Sequence, residues 1–300
     1  MNLQNLKPIY FVASHNLCNF ARENKKIMSG YLVSDTKKIT ATRFKEMKRR
    51  GEKISMLTAY DYTTAGIIDR AGIDGILIGD SASNVVAGNS TTVPISMEEM
   101  LYYGRNVARG VKRALVMCDM PFGSYQVSRE DGIRNAIRMM KFTGVDAVKL
   151  EGGREILDTV KGILDAGIPV CAHLGLTPQS VHKFGGFGLR AKDEAEADKL
   201  LDDARLLDEA GCFALVLEKV PAQLAEEVTR EVSMATIGIG GGNATDGQIL
   251  VWADAMGMTE GFKPKFLRHF AHLGQALTDG VGDYVRAVKD GSFPNGEESY

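Results

Sequence analysis

The chain has 300 residues, of which 44% are apolar and 25% charged, and its formal net charge is −2. Such a composition is that of a globular protein with one large core or two smaller ones, and a charge so near zero gives no electrostatic case for nucleic acid or an anionic membrane as partner. No apolar run approaches the ~20 residues that a membrane-crossing helix needs.

Residues 1–35 lack the rhythm of the rest of the chain and carry Lys7, Arg22, Lys25 and Lys26. That suits an organelle transit segment or, more simply, a poorly ordered extension ahead of a start near Met28. Residues 36–300 read as a single domain in which short apolar runs alternate with longer amphipathic stretches. The runs are Ile54–Tyr60, Gly75–Asp80, Leu115–Met120, Ala147–Gly152, Val170–Leu174, Ala214–Lys219 and Thr236–Gly240, with a weaker eighth at Ile249–Asp254. Most are apolar at nearly every position, the pattern of parallel strands covered on both faces. Between them the spacing predicts helices over Met97–Arg109, Arg129–Thr143, Glu155–Ala166, Glu194–Ala210 and Pro221–Glu231, with one or two more over Leu267–Lys289. Ser96 and Glu99 form a capping-box signature before the first of these. Gly144, Gly167 and Gly211 stand where helices stop. About eight strand–helix units fit a (β/α)8 barrel better than an open doubly wound sheet, because the charged residues gather at many strand ends and not at one switch point. The cysteines, at 18, 118, 171 and 212, form no CxxC pair. That spacing gives no zinc site or disulfide framework and points to a reducing, cytoplasmic setting.

The chemistry concentrates in Lys149-Leu150-Glu151-Gly152-Gly153. Residues two apart on a strand share a face, and a buried cation and anion aimed the same way need partners. Asp80 and Asp119 each end an apolar strand, and two carboxylates brought together repel unless a proton or cation lies between them. With Glu151 they suggest a Mg²⁺ site, since this hard ion takes one or two protein carboxylates and leaves room for substrate oxygens. The plainer alternative for each is a loop or helix cap. Lys149 could bind a substrate carboxylate or form a Schiff base, or simply pair with an acid. His173 ends the fifth run and is either a packed core residue or a hydrogen-bond partner of a substrate oxygen. Glu218, in apolar company, suits a general base and, alternatively, an ion pair with Lys219. The run Gly238-Ile239-Gly240-Gly241-Gly242 does not fit a dinucleotide fingerprint.

These segments together resemble the ketopantoate hydroxymethyltransferase family. The matching stretches are Leu57-Thr58-Ala59-Tyr60-Asp61-Tyr62, Gly79-Asp80-Ser81, Asp119-Met120-Pro121-Phe122, Val148 to Gly153 and His173-Leu174-Gly175-Leu176-Thr177-Pro178-Gln179-Ser180. Phe184-Gly185-Gly186, Val216-Leu217-Glu218, Ile237 to Gly240 and Asp246 to Val251 continue the match in order. The resemblance implies a barrel of the phosphoenolpyruvate/pyruvate type. It also implies transfer of a hydroxymethyl group from 5,10-methylenetetrahydrofolate to 3-methyl-2-oxobutanoate, giving 2-dehydropantoate for pantothenate biosynthesis, in a homo-oligomer, often a decamer. By position, Asp80 and Asp119 would hold Mg²⁺ with Glu151 directly or through water. Asp80, Ser81, Asp119 and Lys149 would bind the keto acid, and Glu218 would accept the proton. The chain departs from the family pattern at Ala82-Ser83-Asn84 and at Gly88-Asn89-Ser90-Thr91-Thr92, in a segment expected to cover the site. The rival expectations are a Mg²⁺-dependent 2-oxo acid lyase of the isocitrate lyase or phosphonopyruvate type, which would use a loop cysteine, and a non-catalytic binding barrel.

Overall fold

The computed structural model describes residues 37–300 apart from 260 and 262. The expectations for residues 1–35 lie outside the described residues. Ile39–Tyr300 form one compact unit.

Its centre is a closed barrel of eight strands in sequence order, β1 Ile54–Thr58, β2 Gly75–Ile78, β3 Leu115–Asp119, β4 Ala147–Glu151, β5 Val170–Gly175, β6 Ala214–Glu218, β7 Ala235–Ile239 and β8 Gly247–Leu250. Every pairing is parallel, and β8 closes on β1 through Ile54 opposite Gly247. The two-residue period sorts each strand into two faces. Ile76, Ile78, Val116, Cys118, Val148, Leu150, Leu215 and Leu217 belong to the core shared with the surrounding helices. Met56, Leu77, Met117, Ala147, Cys171, Val216 and Ile237 fill the barrel itself. The barrel is therefore plugged with side chains in its lower layers and can open only at the C-terminal mouth.

The predicted helices form where the local chemistry asks for them. In Met97–Gly110 the Ser96 side chain accepts from Glu99 N while Glu99 reaches back to Ser96 N, so two end donors are satisfied reciprocally. Arg129–Thr143 starts on Ser128, which accepts from Asp131 N, and stops at Gly144, whose φ of 78° is left-handed. Two helices of more than one turn, Ala41–Arg50 and Tyr62–Arg70, escaped the sequence reading. Ala41–Arg50 is mostly polar, yet Phe44 and Met47 are buried and belong to the barrel-filling cluster, with Phe44 edge-on to Phe213 at 5.9 Å. It closes the bottom of the barrel, and burying Phe44 contributes about 1.5–3 kcal/mol. Tyr62–Arg70 follows Asp61, whose carboxylate accepts from Thr64 N.

The eighth strand lies earlier than the spacing predicts. Gly247–Leu250 pairs with β1, and the segment expected to continue it turns into the short helix Trp252–Ala255. Trp252 N donates to Thr58 Oγ1 at 3.1 Å, which ends the strand. Between β7 and β8 there is no helix, and the outward residues of the seam, Ser55 and Gln248, are exposed where those of β3 and β4 are buried. The closing helix Leu273–Asp290 buries none of its residues, leaving Leu277, Val281, Tyr284 and Val288 on an open apolar stripe.

Candidate active site

Asp119, Lys149, Glu151, His173 and Glu218 occupy the inward positions above Met117, Ala147, Cys171 and Val216. Strand register then decides who meets whom. Asp119 pairs with Lys149 and Glu151 with His173, while Glu218 stands opposite Gly175 one layer higher. Gly175 is obligatory there. Its φ is +90°, and a Cβ would lie 2.4 Å from Glu218 O. Asp80 sits just past β2, where its N donates to Asp119 Oδ2 at 3.0 Å. All the residues singled out from the sequence, Asp80, Ser81, Asp119, Lys149, Glu151, His173 and Glu218, line one cavity of about 520 Å³.

Lys149 Nζ is 2.9 Å from Asp119 Oδ1, 3.7 Å from Glu151 Oε1 and 3.1 Å from His173 Nδ1. Burial disfavours its charge, but Asp119, Glu151 and Asp80 outweigh that and hold its pKa above the usual lysine value. A lysine kept charged in this way is a poor Schiff-base nucleophile and a good anion anchor. Glu151 is also buried, yet hydrogen bonding to His173 and the charge of Lys149 prevail and lower its pKa. Asp80 lies well above the ordinary aspartate range, first because it is buried and then because Asp119 and Glu151 repel its charge. Asp119 is raised by burial, with Lys149 opposing and Glu151 adding to the rise. His173 has Glu151 Oε1 at 3.5 Å from Nδ1 and Glu218 Oε2 at 3.4 Å from Nε2. Burial and Lys149 push its pKa down, and the two carboxylates overcome them to bring it up to about 9.

Three buried carboxylates crowd beside Lys149 and His173, and the raised pKa values of Asp80 and Asp119 mark their burial and the repulsion among them. Asp119 Oδ1 makes no aligned hydrogen bond, although Lys149 is near, and His173 Nε2 is likewise buried without one. Among the described residues no group of three or more His, Cys, Asp or Glu is gathered into a ready metal cage. Carboxylates from two adjacent strands with an orphaned oxygen fit a hard divalent ion that completes its shell with substrate and water. The cavity thus has places for a cation, an anion and a hydrogen-bond acceptor side by side.

The sequence reading missed Gln179 and Tyr125, which bind the acids from behind. Gln179 N donates to Glu151 Oε2 at 2.9 Å and its Nε2 to Asp80 Oδ2 at 2.9 Å, while Tyr125 OH donates to Gln179 Oε1 at 2.7 Å. Tyr60 was also passed over, and its OH lies 2.8 Å from Ser81 Oγ. The Thr-Pro-Gln turn was the one available signal for Gln179. The polar loop after β2 does reach the site, since Asn84, Ser90 and Thr92 line the cavity. The glycine run serves packing. Cβ atoms at Gly240 and Gly242 would meet Phe266 at 2.9 Å and Ala222 at 2.7 Å. Cys118, Cys171 and Cys212 are buried free thiols, and burial brings Cys171 up to about 12, so none is poised as a loop acid or nucleophile.

A sequence model described as ketopantoate hydroxymethyltransferase matches residues 38–296. The chain belongs to the ketopantoate hydroxymethyltransferase family. Within that family, the 3-methyl-2-oxobutanoate hydroxymethyltransferase of Phocaeicola vulgatus is 60% identical over 273 residues, which are 91% of this chain and 100% of the relative. The protein of the same name from Flavobacterium johnsoniae is 54% identical over 266 residues, 89% of this chain and 98% of the relative. Solved structures similar in fold include phosphonopyruvate hydrolase in complex with oxalate and Mg²⁺, with a TM-score of 0.56 at 12% identity over 86% of this chain and 93% of that one. Another is 2,3-dimethylmalate lyase, of the PEP mutase/isocitrate lyase superfamily, with a TM-score of 0.56 at 15% identity over 86% and 91%. At such identities the likeness shows the barrel type alone. It places the ketopantoate hydroxymethyltransferase family on the fold that the strand pattern predicts.

Proposed function

We propose that this chain transfers a hydroxymethyl group from 5,10-methylenetetrahydrofolate to 3-methyl-2-oxobutanoate, giving 2-dehydropantoate for pantothenate biosynthesis. The supporting observation is the facing arrangement of Glu218 and His173 above a buried cluster of three carboxylates and one lysine. Asp80 and Asp119 are the residues to hold Mg²⁺, with Glu151 supporting it through water, since its own oxygens face Gln179 N, His173 and Lys149. The ion, when bound, draws electron density from a 2-oxo acid and makes its C3 proton easier to remove. Lys149, with Ser81 and Asp119, anchors the keto acid, and His173 Nε2 donates to one of its oxygens. Glu218 then takes the C3 proton. The electron pair left on C3 forms the new bond to the one-carbon unit as both of that carbon's bonds to the folate nitrogens break. Water supplies the hydroxyl, and tetrahydrofolate leaves with its two nitrogens protonated by water's other hydrogen and by the proton that Glu218 took.

Exchange of the C3 proton with solvent deuterium tests this reading directly. Wild-type protein with Mg²⁺ exchanges the C3 proton of 3-methyl-2-oxobutanoate, and EDTA stops it. Exchange that persists in EDTA removes the ion from the reading, and no exchange under any condition removes the enzyme.

The same reading places the protein in a reducing cytoplasm, which its buried, unpaired Cys118, Cys171 and Cys212 suit; labelling these thiols in cell extract without reductant is the check. It also includes assembly into a homo-oligomer. The open stripe of Leu277, Val281, Tyr284 and Val288 is an apolar surface that a folded monomer gains nothing by exposing. We expect a solution mass that is a multiple of 32.6 kDa, reduced when Leu277 and Val281 are both changed to Glu. A wild-type protein of single-chain mass removes this part of the reading.

A further inference from the structure

Gln179 stands on one turn of 3-10 helix, Pro178–Ser180, in the loop after β5. It is 5% exposed, and its side-chain amide is fully used. Nε2 donates to Asp80 Oδ2 at 2.9 Å and to Met120 O at 3.0 Å. Oε1 accepts from Tyr125 OH at 2.7 Å and from Gln126 Nε2 at 3.1 Å. The orientation of the amide is not arbitrary, because a carboxylate and a carbonyl can only accept, so the nitrogen must face them. With its backbone N on Glu151 Oε2 at 2.9 Å, this single residue bonds to the ends of β2, β3 and β4 together. Those strands supply all three acids. Among the described residues, Gln179 makes the one hydrogen bond donated to the Asp80 carboxylate.

We infer that Gln179 is a positioning residue, which clamps Asp80 Oδ2 so that the carboxylate presents its other oxygen to the cation beside Asp119. The inference rests on the reading that Asp80 and Asp119 hold a divalent ion. An aspartate left free to rotate in the cavity has to be ordered when the ion binds, and the clamp meets that cost in advance. Outer partners of this kind are worth about 10- to 100-fold in metal affinity. The Tyr125 hydroxyl fixes the clamp in turn, because it donates to the oxygen that balances the amide.

Gln179→Met keeps the length and apolar stem of the side chain and removes the amide. The direct readout is Mn²⁺ affinity of the full chain, followed by electron paramagnetic resonance without substrate. The dissociation constant rises about 10- to 100-fold, and C3 exchange returns to within a few-fold of wild type once Mn²⁺ is saturating, because Glu218 is untouched. Tyr125→Phe, which keeps the ring packing, weakens Mn²⁺ in the same direction by less, and serves if the Met variant does not fold. A folded Gln179→Met variant, or Tyr125→Phe in its place, with wild-type Mn²⁺ affinity overturns the clamp, even if its melting temperature falls. So does exchange that stays low at saturating Mn²⁺. If wild-type protein itself binds no Mn²⁺, the metal reading fails and the clamp with it; if only the variants bind as wild type does, the clamp alone fails.

Discussion

Replacing Glu218 with Gln abolishes exchange of the keto-acid C3 proton while binding of the keto acid survives. The side chain is 16% exposed at the cavity edge, against 3% for Glu151. Glu218 can therefore reach a substrate atom, whereas both oxygens of Glu151 are directed at protein groups. Loss of a positioned base costs about 10²- to 10⁴-fold in rate. Binding survives because Lys149, Asp119 and Asp80 are untouched. The variant carries a second, independent signature. His173 owes its raised pKa to Glu151 and Glu218 against burial and Lys149, so removing one carboxylate lowers it. In the wild-type chain, a histidine raised from 6.5 to about 9 contributes stability that is complete below pH 6.5 and disappears as pH rises through about 9. In Glu218→Gln that contribution is smaller and its loss is complete at lower pH. Nuclear magnetic resonance of the imidazole and denaturant unfolding across this window measure both. Undiminished C3 exchange rules out Glu218 as the base, whatever the histidine does.

Changing Lys149 to Met has the largest expected effect on stability. The ammonium group is 3% exposed and answers Asp119 at 2.9 Å and Glu151 at 3.7 Å. A buried ion pair adds little net stability as a pair, but deleting one partner leaves an uncompensated charge and costs about 3–5 kcal/mol. Here the deletion leaves Asp80, Asp119 and Glu151 facing each other with only His173 nearby. Urea unfolding at neutral pH therefore gives a loss of about that size. Millimolar Mg²⁺ recovers part of it, since an ion that binds only the folded state stabilises that state. Keto-acid binding is lost as well, because the anchor for its carboxylate is gone. A variant within ~1 kcal/mol of wild type would show that the three acids do not need this cation, and Lys149 would drop out of the account.

Much of the site was legible because its chemistry is local. Lys149 and Glu151 announce themselves as residues two apart on an apolar run, and the alternation of a strand gives their common direction without any knowledge of the neighbours. Asp119 and Glu218 follow by the same rule. Gln179 did not, because nothing in Thr177-Pro178-Gln179 says that three other strand ends lie within hydrogen-bonding reach. Tyr125 has the same difficulty, separated from Gln179 by the whole of β4 and β5. Ala41–Arg50 went unpredicted because its two buried residues are too few to mark a face, and only the closed barrel gives Phe44 something to plug.

The sequence by itself determined the parallel barrel and the charged residues that crown its strands, since apolar runs, capping residues and the two-residue period act between near neighbours in the chain. The tertiary structure alone decided that His173 would face Glu218, that Asp80 would be held from behind by Gln179, and that Leu273–Asp290 would keep an open apolar face. Those outcomes depend on strand register and on how the ring of strands closes, which bring together residues far apart in the chain and so leave no local pattern to read.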